Sequence, residues 1–303
     1  MSRVNERLTA ADGACRLKLR EDPFLKIMGR LGSLANPSQA FELLSRIRTD
    51  PAGTAELADL CGLMPSEQGQ GMVERTLLML ASLHAIPQVP SLDVSDTVKG
   101  LFAEEFQFFS EPPAVWTTHF RWDDVRFREM ARIATLRRFP AGQFDWEVSG
   151  FPRSWLARAS RPLSLLAYLA QMGGFGPVFE MHVNPRRKNQ HLLEKEANFS
   201  YYRAARSIVK QSAIRGLMMG SWFLCGSTAQ VTPRLAWLRQ LPQSGGALLF
   251  DIGPAAADSG FMTGSYKRRR LYEEGLYRPK LGYILWPRKH LIDWANRHPE
   301  FDV

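Results

Sequence analysis

Apolar positions recur at helical spacing through the first third of the chain, then give way to short apolar runs alternating with amphipathic stretches. In "SQAFELLSRIRTD" Phe41, Leu44 and Ile47 share one helical face behind Ser38 as N-cap, and in "GMVERTLLMLASLHAIP" Val73, Leu77, Leu80 and Leu83 do the same. Between them "TAELADLCGLMPSEQGQ" predicts a short helix closed by Gly62. After Gly142 the pattern predicts strands at "FDWEVSG", "GPVFEMHV", "RGLMMGSWFLC", "GALLFDIG" and "LGYILW", each followed by a helical stretch. Pro162 breaks the first of these helices, Thr232 and Pro233 open "TPRLAWLRQL", and Gly275 closes "SYKRRRLYEEG". Strands alternating with helices predict an α/β (α+β) chain, with a helical N-terminal region followed by a domain built on a central mixed sheet.

The expected organisation is a polar, frayed or disordered tail over 1–22, an all-α region over 23–110 and an α/β domain over 111–303. The aromatic stretch "LFAEEFQFFSEPPAVWTTHFRWDDVRF" is read as a packed connection, since that many Phe and Trp would not stay in water. A 303-residue chain that is 45% hydrophobic can fill a substantial core, which excludes a disordered protein. Its formal charge of +9 favours acidic partners: nucleic acid, an anionic membrane surface, phosphorylated cofactors or an acidic carrier protein. Cys15, Cys61 and Cys225 are odd in number and form no CxxC pair, so no disulfide framework or structural zinc is expected. No stretch resembles a secretory signal, and "LSLLAYLAQMGGFGPVF" falls short of the roughly 20 apolar residues that span a bilayer. A cytoplasmic protein with no membrane span is expected.

Candidate chemistry concentrates in "GPVFEMHVNPRRKNQHLLEKE", at the end of a strand and before a helix, where α/β sheets collect their sites. His182 points away from the face of Met181 and Val183 and is a candidate general base, because imidazole titrates near neutrality. His182, His191 and Glu194 or Glu196 make an alternative metal set for iron or zinc, although His-x-x-Glu reverses the order found in di-iron bundles. The plainer reading leaves "HLLEKE" as a solvated helical face, and no metal is favoured. Arg186, Arg187 and Lys188 could hold a phosphate or a carrier-protein phosphopantetheine.

A second stretch, "MMGSWFLCGSTAQVTPRL", leads a strand through a turn into a Thr-Pro helix start. Gly226, Ser227, Thr232 and Arg234 could there present backbone N–H groups and charge to a pyrophosphate, with Ser221 and Trp222 lining a pocket. Cys225 is a weaker nucleophile candidate. "YKRRRLYEEGLYRPK" sets Lys267 to Arg270 among Tyr266, Tyr272 and Tyr277, a composition compatible with nucleic-acid stacking but carrying no recognised motif. In "RRFPAGQFDWEVSG" Glu147 is a further candidate base if buried, with Arg153 as counter-ion; strict alternation instead turns Trp146 and Val148 inward and Glu147 outward.

The order of elements from Gly176 to Gly253 resembles the C-terminal half of GNAT-like acyltransferase domains: a strand ending in His, the helix "NFSYYRAAR", the strand end "MGSWF", the helix "TPRLAWLR" and the strand "GALLFDIG". That resemblance implies an acyl-CoA or acyl carrier protein thioester lying between splayed strands near Ser221 and Trp222. It also implies an amine acceptor deprotonated by His182, and phosphates on the turn from Gly226 to Arg234. The superfamily's glycine-rich turn is replaced here by "LCGSTAQVTPR", which has one glycine. Two other functions are compatible with the residues: a non-catalytic protein binding nucleic acid or an acidic protein through its basic runs, and a metal-dependent oxygenase.

Overall fold

The computed structural model describes residues 2–47, 51–62, 67–112, 125–184, 186, 192–256, 262 and 265–302. The chain divides into two compact units, Met1–Asp145 with Asn184–Gln190, and Trp146–Val183 with His191–Val303.

The first unit is helical: α1 (Arg3–Leu19), α2 (Asp22–Leu31), α3 (Pro37–Arg46), α4 (Pro51–Gly62), α5 (Glu67–Ala85), α6 (Asp96–Ser110) and α7 (Val125–Ala134), followed by the short strand β1 (Phe139–Pro140). Its centre is α5, where Val73, Leu77, Leu80 and Leu83 are buried as their spacing predicts. Each such side chain contributes about 1.5–3 kcal/mol. Leu44 on α3 and Ile47 at its C-cap are buried as expected, Phe41 is only partly buried, and the N-cap is Asn36, whose side chain accepts from Ser38 N–H. The segment expected to fray is instead helix α1. Ser2 caps it, and Leu8, Ala11, Cys15 and Leu19 are buried at i, i+3, i+4 spacing, packed on α5 and α6. Its polar residues had hidden a narrow apolar stripe. The division between the units falls after Asp145, inside a strand.

Strand β2 (Phe144–Gly150) begins in the first unit and ends in the second. There follow α8 (Trp155–Arg158), α9 (Pro162–Gln171), β3 (Pro177–Val183), α10 (Glu194–Lys210), β4 (Gly216–Ser221), α11 (Gly226–Val231), α12 (Trp237–Ser244), β5 (Leu248–Pro254), α13 (Tyr266–Glu273), β6 (Lys280–Pro287) and α14 (Arg288–Asn296). The six strands form one mixed sheet in the order β1-β2-β3-β4-β6-β5. β3 runs parallel to β4, while β6 is antiparallel to both β4 and β5. The expected α/β class with a helical N-terminal region is therefore present.

Helices cover both faces of the sheet in the second unit. On one face Leu165 and Leu169 of α9 pack with Val178, Met218, Phe250 and Leu285. On the other, Trp146 stacks on Phe179 at 5.1 Å, and Trp286 meets Tyr201 of α10 and Trp294 of α14. Among the described residues no helix is long and apolar enough to cross a membrane.

Candidate functional site

Strands β3 and β4 pair as Phe179↔Leu217, Glu180↔Met218 and Met181↔Met219, and the pairing stops there. Both strands run on, β3 to Val183 and β4 to Ser221, so a wedge opens between them at their carboxyl ends. β4 keeps its direction because it remains paired to β6 through Gly220↔Tyr283 and Ser221↔Gly282. A Cβ on Gly220 would come within 2.2 Å of the Tyr283 ring, so glycine there lets that ring lie against β4. Burial, with the charge of Glu180 adding to it, pushes the Tyr283 hydroxyl up to about 12.

Beside this opening the sheet gathers three groups. Glu180 and His182 share one face of β3 by period-two alternation, and Glu147 reaches them from β2. His182 Nε2 lies 3.7 Å from Glu147 Oε1, with the imidazole 28% exposed and the carboxylate only 6%. The Glu147 carboxylate thus lies beside the half-buried imidazole but beyond hydrogen-bond distance of it. The ligand atoms of Glu147, Glu180 and His182 all lie within 4.8 Å of one another, so this trio could also hold a divalent cation.

The expectation that Glu147 faces outward is overturned. Glu147 is 5% exposed and Val148 is 49% exposed. Phe144 to Glu147 are all buried, so the first half of β2 is covered on both faces and alternation carries no inside-outside signal there. Glu180, two positions before His182 on the same strand, was legible as its same-face neighbour and was missed.

The other candidates are dispersed. The stretch read as one strand ends at Ser221. Trp222 begins a 3-10 turn, and Gly226 and Ser227 are the first two residues of the six-residue helix α11. Thr232 follows that helix, its N–H donating to Thr228 O at 2.7 Å and its hydroxyl accepting from Arg268 at 3.5 Å. Arg268 also lies over the Trp222 ring at 4.8 Å and is 5% exposed, so the basic run 267–270 spends one cation on internal packing. Arg234 is exposed on its 3-10 turn, and Cys225 is buried with its sulfur against Ser227 Oγ and Lys280 N–H.

Arg186 belongs to the first unit. Its guanidinium donates to Glu105 at 2.6 Å and covers the Phe108 ring at 4.9 Å. Arg187, Lys188 and His191 lie outside the described residues. Glu194 and Glu196 sit in the first turn of α10, so the helix begins later than the apolar pattern implied. Around Arg186, Asn184 donates to Asp145 at 2.7 Å and accepts from Arg186 N–H at 2.9 Å. Burial pushes the Asp145 carboxyl well above its ordinary range, the Glu105 charge adds to this, and Arg138, Asn184 and Arg186 oppose it. Burial raises Glu105 as well, against the pull of Arg186.

No protein-family model matches the chain, and no curated protein matches it by sequence. Solved structures similar to it include an acyltransferase in complex with decanoyl-CoA and teicoplanin, and an acyltransferase in complex with CoA and 10C-teicoplanin. Each is 13% identical, with a TM-score of 0.46 over 86% of this chain and 87% of the other.

Proposed function

We propose that this chain is an acyltransferase that moves an acyl group from a CoA or carrier-protein thioester to an amine. The observation that supports this reading is the wedge where β3 and β4 part after Met181↔Met219, flanked by His182 with Glu147 behind it. A thioester entering the wedge meets strand edges whose ladder has ended and whose backbone groups are available to an extended donor. His182 takes a proton from the acceptor ammonium or from the attacking amine. The nitrogen then bonds to the carbonyl carbon, the C–S bond breaks, and the proton passes to the departing thiolate. Glu147, 3.7 Å away, is the negative charge nearest the imidazolium that this step forms transiently.

The GNAT-like assignment belongs to this proposal, as do a cytoplasmic location and the donor's route past Ser221. Gly226 and Ser227 at the start of α11 belong to it as phosphate contacts, whereas Thr232 is that helix's C-cap. A thiol-release assay with acyl-CoA donors and a panel of amines tests the reading. Wild-type protein should release thiol in an amine-dependent way, and His182→Ala should lose that release while keeping its circular dichroism and melting temperature. Unchanged turnover in His182→Ala would sink the assignment.

A further inference from the structure

From Pro162 to Phe179 the chain holds no charged residue, yet part of that stretch faces water. Helix α9 buries Leu165 and Leu169 against the sheet. Its outer face carries Leu163, Leu166, Ala167 and Ala170 at i, i+3, i+4 and i+7, all of them exposed. Leu163 is 82% exposed and Leu166 51%, and Phe175 in the turn that follows is exposed as well. A surface helix ordinarily turns polar residues outward, so an apolar outer face marks a place where something else docks.

The rim of this face is cationic. Arg158 and Arg161 precede α9, Arg153 lies over the Phe175 ring at 5.6 Å, and the Arg215 guanidinium lies beside Gly173 at the other end. All four arginines are exposed, and none forms an ion pair with a described residue. No Asp or Glu occurs from Phe151 to Phe179. Elsewhere exposed cations do find acids, as in Arg16–Asp12, Lys26–Asp22 and Lys289–Asp293. Arg161 is moreover the N-cap of α9, where the helix dipole opposes a cation, so the helix itself gains nothing from that charge.

We propose that the outer face of α9 docks on an anionic lipid surface. Leu163 and Leu166 enter the boundary between headgroups and acyl chains, while Arg158, Arg161 and Arg215 meet lipid phosphates. Nucleic acid would satisfy the guanidinium groups and leave the leucines in water. A lipid surface supplies phosphate and hydrocarbon in one plane, and it moulds to the convex face of a single helix. The sheet face beneath α9 is the one that carries Glu180 and His182, because Val178, which packs with Leu165, shares their side of β3. Docking therefore turns that face toward the lipid.

The test is co-sedimentation of the full-length protein with vesicles of phosphatidylcholine alone, or of equimolar phosphatidylcholine and phosphatidylglycerol. The anionic vesicles should bind at least about tenfold more tightly than the neutral ones, and salt should weaken that binding. Leu163→Ser/Leu166→Ser should lower the affinity at least about tenfold with no change of charge. Arg158→Gln/Arg161→Gln should lower it about tenfold, whereas Lys267→Gln/Arg269→Gln, which removes the same charge from α13, should change it less than about threefold. All six positions are exposed, so each variant should keep the wild-type melting temperature. Full affinity in the leucine variant, or equal losses in the two charge variants, would overturn the proposal. So would a dimer without vesicles that the leucine variant disperses, which would make α9 a contact between copies of the chain. Acyl transfer at His182 is read by a different assay, so either idea can fail alone.

Discussion

Replacing Arg186 by Met removes the cation that Glu105 faces at 2.6 Å, in a site where that carboxylate is 2% exposed. Breaking a fully buried pair by deleting one partner costs about 3–5 kcal/mol, because the survivor is left charged in a poor dielectric. Arg186 is itself 23% exposed and Asn184 remains 3.5 Å from Glu105, so about 2–4 kcal/mol is expected at neutral pH. The cost should depend on pH with a definite sign. Glu105 and Asp145 both titrate above their ordinary range in the folded chain, so the stability they confer is present in acid and is lost as pH rises through those raised values. Removing Arg186 raises Glu105 further. The penalty should therefore shrink in acid, as the carboxyl protonates, and should grow as pH rises. Urea denaturation of wild type, Arg186→Met and the double variant Arg186→Met/Glu105→Gln across a series of pH values measures it. The double variant should recover most of the loss at neutral pH. A penalty that is flat with pH, or a double variant no better than the single one, would refute the idea that an uncompensated Glu105 charge is the cause.

Three further outcomes follow from the site geometry. Glu147→Gln should lower kcat of amine-dependent thiol release by about 10²–10⁴ while shifting KM little, because Glu147 acts through His182; an equal loss confined to KM would contradict this. Gly220→Val should destabilise the second unit by about 1–3 kcal/mol, since its side chain must displace the Tyr283 ring; an unchanged denaturant midpoint would show that the ring has room to move. Elemental analysis of protein purified without chelator separates the two uses of the Glu147, Glu180 and His182 trio. Stoichiometric zinc or iron that is lost in His182→Ala would favour the metal chemistry over the proton-transfer reading, and activity unaffected by chelator would favour the latter.

Much of the architecture was legible locally. The 3.6-residue stripe of α5, the Pro162 break between α8 and α9, and the Ser265 and Gly275 ends of α13 are all set by side chains within a turn of where they act. The class and the helical first region follow from them. Some features depended on what covers an element rather than on its own pattern. The α1 stripe is a case, since four small or medium apolar residues among many charges form a core face only when another helix lies on them.

The sequence by itself determined that His182 stands at the end of a strand, on the face opposite Met181 and Val183, because a strand's pleat dictates side-chain direction whatever it packs against. Its net charge of +9 also favoured acidic partners, without saying which cations meet which groups. Only the tertiary structure decided which partners those were. It paired Arg186 with Glu105 and laid Arg268 over Trp222, and it buried Glu147 against His182 by covering both faces of β2. It also ended the β3–β4 ladder at Met181↔Met219. Burial and strand register are properties of non-local contacts. The free energy that orients a charged side chain is set by the dielectric and the counter-charge that those contacts bring to it.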